Sequence, residues 1–259
     1  MMNDLTTYVS HMEKSMVDKL FFTGIIDPGL IVDFGCADGA LIRAYEQLFP
    51  DVSLLGYDNS DYMLNLARHK KPLYSRAGFT NDWNEVKGCM NEYTHLKPTL
   101  LLSSVLHEVF HYLGGKGFYE VWSDIWKSGF EYIVIRDMIG NLDMNRKADP
   151  LDIFKVRQKA NPIHLIDHEA CWGQIDDQRS LLHFLLTYPF VENWKTEVAE
   201  NYLSLDREVL YATVPSGYSP VYIEEYTLPF VRQRVLKDFD VTIQNETHIK
   251  MILQRKAVK

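Results

Sequence analysis

The chain has 259 residues, 46% hydrophobic and 24% charged, with 35 acidic side chains against 27 lysines and arginines and a formal net charge of −8 at pH 7. Such a composition suits one large or two small globular domains and excludes wholesale disorder, collagen and coiled coil. The acidic balance argues against broad electrostatic binding of nucleic acid, and no apolar run approaches the roughly 18 residues that a membrane helix needs.

Met12, Met16, Leu20 and Phe21 recur at helical spacing, which predicts an N-terminal helix before the turn Asp27-Pro28-Gly29. Leu30–Phe34 reads as a buried strand and runs into Gly35-Cys36-Ala37-Asp38-Gly39. The helix after it carries Leu41, Ile42, Tyr45, Leu48 and Phe49 on one face and stops at Pro50. Residues 52–57 form a second predicted strand, closed by Asp58-Asn59-Ser60-Asp61, and Met63, Leu66 and Ala67 mark a second helix. A third strand is expected at 73–77, a fourth at 99–103, a helix at 118–126 and a fifth strand at 132–135. Strands alternating with helices, the strands short and apolar, predict an α/β fold: a doubly wound, Rossmann-like, mainly parallel sheet covered on both faces. Residues 141–203 are polar, aromatic-rich and helical in period. A helix at 205–214 follows, then strands at 221–226 and 249–253 with a helix within 228–240. The expected division is a helical cap (1–29), a nucleotide-binding core (30–140), a helical insertion or lid (141–203) and the last part of the core sheet (204–259).

Cys36, Cys89 and Cys171 are too few and too scattered for a disulfide framework or a zinc ribbon. With no basic, apolar leader at the start of the sequence, a reducing cytoplasm is the expected compartment.

The first strand–turn–helix unit carries the most chemistry. Gly35 and Gly39 in such a turn let the backbone approach a nucleotide closely, with helix N–H groups facing it. Asp58 closes the next strand, where doubly wound folds place an acid that accepts both hydrogen bonds of a ribose diol. A tight turn and a helix cap are the bland explanation, but these parts stand together in the order that nucleotide binding demands. The dinucleotide fingerprint G-x-G-x-x-G is degraded here to Gly35, Ala37 and Ala40. Asp33, just ahead of Gly35, would repel phosphate but suit an ammonium group. S-adenosylmethionine, with a sulfonium, an amino group and no phosphate, matches that charge.

The segment Asp33-Phe34-Gly35-Cys36-Ala37-Asp38-Gly39 resembles motif I of the class I S-adenosylmethionine-dependent methyltransferases. Leu54-Leu55-Gly56-Tyr57-Asp58-Asn59-Ser60 is similar to their acidic second-strand motif, and Leu101 to Glu108 to their fourth-strand segment. The resemblance covers residues 30–136; Cys36-Ala37 stands where the family has its second glycine, and residues 140–203 match nothing general in it. It implies a seven-stranded sheet with a closing hairpin, and methyl transfer that releases S-adenosylhomocysteine. It also implies that Asp33 and the turn Gly35, Cys36, Ala37 and Gly39 hold the methionine end. Asp58 would take the ribose and Asn59 the adenine edge. Asn81 and Asp82 would meet the adenine amino group, and Ser103 would line the floor near the sulfonium. Lys19 would either reach the cofactor carboxylate or be solvated.

His107-Glu108-Val109-Phe110-His111 is a literal H-E-x-x-H, which on a helix can bind zinc. The extended form of that motif needs a histidine where Gly117 stands, and the segment before His107 reads as a buried strand. No metal is therefore expected. His107 and Glu108 instead fall just past the fourth strand, at the mouth of the sheet where ligands bind. His107, Glu108 and His111 are the candidate bases for an acceptor that must lose a proton, with packing as the competing explanation. Lys155 and Lys159 share a helix face, either an anion patch or a solvated surface.

The function expected is methyl transfer to an unidentified acceptor, a small molecule rather than nucleic acid, beneath a lid made of the insertion and the N-terminal helix. No membrane partner is expected. A tRNA or RNA methyltransferase, a non-catalytic S-adenosylmethionine-binding protein and a zinc hydrolase are the other readings.

Overall fold

The computed structural model describes Met16, residues 18–93 and residues 95–257. The predicted N-terminal helix therefore lies mostly outside the described residues. Within them, Asp18 and Lys19 are helical, and a 3-10 turn, Phe21–Gly24, follows.

Seven strands form one sheet: β1 (Leu30–Phe34), β2 (Ser53–Tyr57), β3 (Gly78–Thr80), β4 (Pro98–Ser103), β5 (Tyr132–Met138), β6 (Tyr218–Tyr226) and β7 (His248–Arg255). Their order is β3-β2-β1-β4-β5-β7-β6. The first five strands run parallel, and β7 is antiparallel to both β5 and β6. This is the expected doubly wound arrangement, and it is the class I methyltransferase fold. Because β1 pairs with β2 on one side and β4 on the other, the winding reverses at β1. A crevice opens there beyond the strands' C-terminal ends.

The helices are α1 (Ala40–Leu48), α2 (Asp61–Lys70), α3 (Trp83–Glu92), α4 (Leu106–Ser128), α5 (Pro150–Lys159), α6 (Pro162–Trp172), α7 (Gln178–Thr187), α8 (Trp194–Glu197), α9 (Arg207–Thr213) and α10 (Pro229–Phe239). Local chemistry sets several of their starts. Ser60 caps α2 and Asp82 caps α3; Asp149, Asn161 and Asp177 cap α5, α6 and α7, each accepting a backbone N–H of the first turn. Pro150 and Pro162 occupy first-turn positions, where the missing N–H costs nothing.

Alternating side chains split the sheet's two faces, as the two-residue period of a strand requires. Leu30, Val32, Leu100, Leu102, Ile133 and Ile135 join Phe118 and Trp122 of α4 in one cluster. Ile31, Leu101, Val134 and Ile252 meet Ile42 and Tyr45 of α1 in another. A third cluster belongs to the insertion after β5: Val156, Leu165, Leu181, Phe184 and Leu185, joined by Val231, Val235 and Phe239 of α10. The helix that connects β6 to β7 is thus packed against the insertion. Arg179 of α7 fastens it further, donating to Leu203 O (2.8 Å), Asn141 O (3.0 Å) and Asp206 Oδ1 (2.7 Å).

Two elements differ from expectation. The third strand is not 73–77 but Gly78–Thr80; Leu73 is fully exposed and lies in a turn after Pro72. Only Gly78, Phe79 and Thr80 pair with β2, and so short an edge strand beginning on glycine leaves almost no periodic signal. The helix expected at 118–126 begins instead at Leu106 and is broken at Gly114, whose φ of 64° lies in the left-handed region. His107 and Glu108 therefore sit in the first turn of a short helix that leaves β4.

Candidate functional site

Beyond β1 the backbone turns through left-handed positions at Gly35 (φ 75°), Ala37 (φ 45°) and Gly39 (φ 75°). Gly35 has a second constraint, since a Cβ there would lie 2.8 Å from Val105 Cγ2. The turn is tied to the end of β2. Gly35 and Cys36 N–H donate to Tyr57 O at 2.8 and 3.0 Å. Asp58 Oδ2 accepts from Ala37 N–H at 2.9 Å, and its Oδ1 accepts from Ser60 N–H at 2.8 Å. Each carboxylate oxygen has a second acceptor site, so Asp58 can hold the turn and still receive two ligand hydroxyls. Asp33 is 3% exposed. Burial pushes its carboxyl up to about 7, against Lys19 and with the help of Asp58.

Asp33, Gly35, Cys36, Ala37, Asp58, Asn59 and Ser103 line one cleft of about 550 Å³. Three other predicted residues do not line it. Gly39 is the N-cap of α1, where a Cβ would come within 3.0 Å of Phe79 and 3.2 Å of Ala67. Asn81 donates to Asp61 Oδ1 at 2.8 Å, and Asp82 caps α3 by accepting from Asn84 N–H at 2.8 Å.

Lys19, Ser104 and Glu108 are shared between this cleft and a second cavity of about 190 Å³. His107 lies on that cavity, 1% exposed. Its Nδ1 is 2.6 Å from Asp137 Oδ1. The same carboxylate caps α4, with Oδ2 accepting Val105 N–H (3.0 Å) and Leu106 N–H (2.6 Å). Asp137 therefore fixes the ring's orientation, as the acid of a catalytic histidine pair does. Among the described residues, His107 Nε2 has no hydrogen-bond partner. Burial opposes the charged ring, but Asp137 outweighs it and holds the imidazole above its ordinary range.

Glu108 and Glu200 complete this corner: their carboxylate oxygens and a ring nitrogen of His107 lie within 4.8 Å of one another. Burial raises both carboxyls, Glu200 to about 7 with Glu197 and Glu108 adding to the effect. Glu200 comes from the end of the insertion, which is stitched into place by buried polar groups. His183 Nε2–H donates to Glu200 O at 2.9 Å, and His183 Nδ1 pairs with His168 Nε2 at 2.9 Å. Burial pushes His183 down to about 4 and His168 to about 3, so this relay is neutral. Ser204 Oγ–H donates to His107 O at 2.6 Å and joins the same segment to α4.

Asp18 gathers two cations, Arg136 and Lys250. Arg136 Nε donates to Asp18 Oδ2 at 2.8 Å, and Lys250 Nζ lies 2.7 Å from Asp18 Oδ1. Arg136 Nη1 also donates to Ser104 Oγ at 2.8 Å. Leu186, Leu228, Phe230 and Val231 supply apolar wall.

Of the three candidate bases, His107 and Glu108 line the cavity. His111 lines neither space; its ring packs on Tyr112 and Trp172, at 4.8 and 5.6 Å between centroids. The carboxylate that completes the cluster is Glu200, so the two histidines of the H-E-x-x-H do not converge on it. Sequence reading missed Asp137 and Glu200. Asp137 had one signal, a charged pair (Arg136-Asp137) continuing an apolar strand; Glu200 had none.

No protein-family model matches the chain. Over 77 residues it is 32% identical to trans-aconitate 2-methyltransferase of Mycolicibacterium gilvum (strain PYR-GCK), a match spanning 30% of each protein. Among solved structures it is similar to an S-adenosylmethionine-dependent methyltransferase from Anabaena variabilis ATCC 29413, with a TM-score of 0.55 and 12% identity over 95% of this chain and 85% of that one. A protein solved in work on the conversion of a disulfide bond into a thioacetal group during echinomycin biosynthesis gives a TM-score of 0.51 at 15% identity, over 93% and 80%. The plantazolicin methyltransferase BpumL, solved with a triazolic desmethylPZN analog and SAH, gives 0.50 at 12%, over 95% and 84%. At these identities the likeness to the solved structures is one of fold.

Proposed function

We propose, from the premise that this chain has the class I methyltransferase fold, that it transfers a methyl group from S-adenosylmethionine to a small organic acceptor. The observation that carries this reading is the pair of spaces meeting at Lys19, Ser104 and Glu108, one suited to the nucleotide and one to the acceptor. Two carboxylates, Asp33 and Asp58, face the nucleotide cleft. They disfavour a pyrophosphate and favour a ligand bearing an ammonium, a sulfonium and a ribose diol.

Asp58 would accept the ribose hydroxyls, Asp33 and the left-handed turn would hold the methionine end, and Asn59 would lie by the adenine. Ser103, its buried Oγ without a partner among the described residues, would line the floor. S-adenosylmethionine supplies, when bound, a methyl group activated by positive sulfur. The protein's task is then to orient the acceptor in line, to exclude water and to take a proton where the acceptor carries one. His107 Nε2, oriented by Asp137, is the group suited to take it, and Glu108 stands beside it. The insertion would act as a lid over the acceptor, with Lys19 on the same lining.

No helix of the described residues is long and apolar enough to cross a membrane. A reducing, cytoplasmic setting is part of the same proposal, since Cys36, Cys89 and Cys171 are all free thiols.

Calorimetric titration with S-adenosylhomocysteine tests the cofactor, with NAD as the phosphate-bearing control. Micromolar binding of S-adenosylhomocysteine and none of NAD is expected. The reverse preference would refute the reading.

A further inference from the structure

The methyl-transfer reading leaves open what occupies the smaller cavity, and its charge narrows the choice. Among the described residues, the charges named as acting on Glu108 and Glu200 are His107 and other carboxylates, although Lys19 and Arg136 line the same cavity. Arg136 is spent on Asp18. Lys19 is surrounded by Asp18, Asp33 and Asp137, and burial pushes its ammonium down. Both cations on the cavity lining therefore have carboxylates of their own, and an anionic acceptor at the Glu108–Glu200 corner would be desolvated against two more.

A second observation points to a ligand independently of that acidity. His107 lines the cavity and is 1% exposed, its Nδ1 is engaged by Asp137, and its buried Nε2 has no hydrogen-bond partner among the described residues. A buried polar atom of this kind is costly unless something binds it.

Resting on the methyl-transfer reading, we propose that the cavity binds an organic amine, its ammonium seated among His107 Nε2, Glu108 and Glu200 and its apolar body against Leu186, Phe230 and Val231. An ammonium has three N–H donors for these three acceptors, and its bonds to carboxylates are charge-assisted. It also offsets the burial that raises both carboxyls and the nearby carboxylates that add to it. In its neutral form, His107 Nε2 takes one proton from the ammonium. The amine keeps the electron pair of that N–H bond as its lone pair, and the imidazolium formed is stabilised by Asp137 and Glu200. The nitrogen is then the methyl acceptor.

The test uses three fragments of one shape on the full chain at neutral pH: phenethylamine, phenethyl alcohol and hydrocinnamate. The amine is expected to bind about tenfold more tightly than the alcohol, and hydrocinnamate not to bind. In Glu200→Gln most of the amine's advantage disappears, while S-adenosylhomocysteine binds as in the unmodified protein, which also shows that the variant is folded. The proposal is overturned if the amine fails to bind at millimolar concentration, if the alcohol or hydrocinnamate matches it, or if Glu200→Gln keeps the preference. Stoichiometric manganese(II) binding that excludes the amine and is lost in Glu200→Gln would overturn it too, by giving the cluster to a metal. S-adenosylhomocysteine binding without amine selectivity would sink this inference alone, whereas amine selectivity without S-adenosylhomocysteine binding would sink the methyl-transfer reading.

Discussion

The two spaces that meet at Lys19 and Glu108 are built by opposite means. The larger cleft is made of backbone: a turn of left-handed residues between β1 and α1, pinned by Asp58 to the end of β2. The turn and its acid lie within one βαβ unit, and Lys19, Ser103, Ser104 and Glu108 close the cleft from elsewhere. The smaller cavity is made of side chains delivered from far apart: His107 from the start of α4, Asp137 from β5, Glu200 from the insertion, Val231 from α10. A local device of this kind suits a constant ligand, whereas an assembled pocket can be altered by changing the insertion alone. On the proposed methyl-transfer reading, the cofactor belongs in the cleft and specificity in the cavity.

Substitutions on the two sides should separate two observables, turnover and cofactor affinity. The largest effect is expected at His107. His107→Ala should lower turnover by roughly 10²- to 10⁴-fold, the usual contribution of a positioned base, with the affinity for S-adenosylhomocysteine little changed. A parallel loss of both in steady-state and binding assays would break the division. Asp58→Ala should do the opposite, weakening S-adenosylhomocysteine by about 1–3 kcal/mol through lost charge-assisted bonds. Equilibrium titration checks this, and an unaltered affinity would remove Asp58 from the cofactor site. Gly35→Ala should weaken the cofactor by a smaller amount, about 1–2 kcal/mol for a left-handed alanine, plus displacement of Val105 by the new methyl. Alanine at a left-handed position without such a neighbour should cost less, and equal losses would show that contact with Val105 is immaterial.

The smallest effects are in pH. Turnover needs neutral His107, and Asp137 holds that ring above its ordinary pKa of 6.5. Activity should therefore fall as the medium is acidified through a midpoint above 6.5, and a midpoint below it would contradict the Asp137 pairing. The stability that the charged pair adds has the opposite sense: it is present below pH 6.5 and is lost as pH rises through the folded-state value. On the cleft side, Asp33 is pushed up to about 7. The ammonium of the ligand's amino-acid end, seated by Asp33 as proposed, would lower that value again, so binding of S-adenosylhomocysteine near pH 6 should release protons. Titration in buffers of different ionisation enthalpy detects this release, which Asp33→Asn should abolish.

The same contrast explains what could be read from the sequence. The cleft was legible because its parts are contiguous: an apolar strand, two glycines, an amphipathic helix and an acid closing the next strand. The doubly wound, mainly parallel sheet followed from the alternation of β and α, and among the strands only the short β3 was misplaced, because the apolar Leu73 and Tyr74 face solvent while glycine opens the true strand. The cavity was half legible. His107 and Glu108 were visible at the end of β4, but His111, equally visible in the motif, turns toward Trp172. Asp137 and Glu200 lie 30 and 93 positions from His107 in sequence (137 − 107 and 200 − 107). Only the charged pair Arg136-Asp137 continuing an apolar strand marks the first, and nothing local marks the second, since the folded insertion and the sheet bring them together. Asn81 and Asp82 show the converse, polar residues in a plausible place that the fold uses for a side-chain bond and a helix cap.

The central claim is that the cleft and the cavity are two halves of one reaction site, and a crystal structure with S-adenosylhomocysteine tests it most directly. The account predicts ribose hydroxyls on Asp58 and the sulfur at the junction lined by Ser104 and Glu108, facing the His107 corner. A ligand bound with its sulfur turned away from that junction, or bound elsewhere on the molecule, would contradict it.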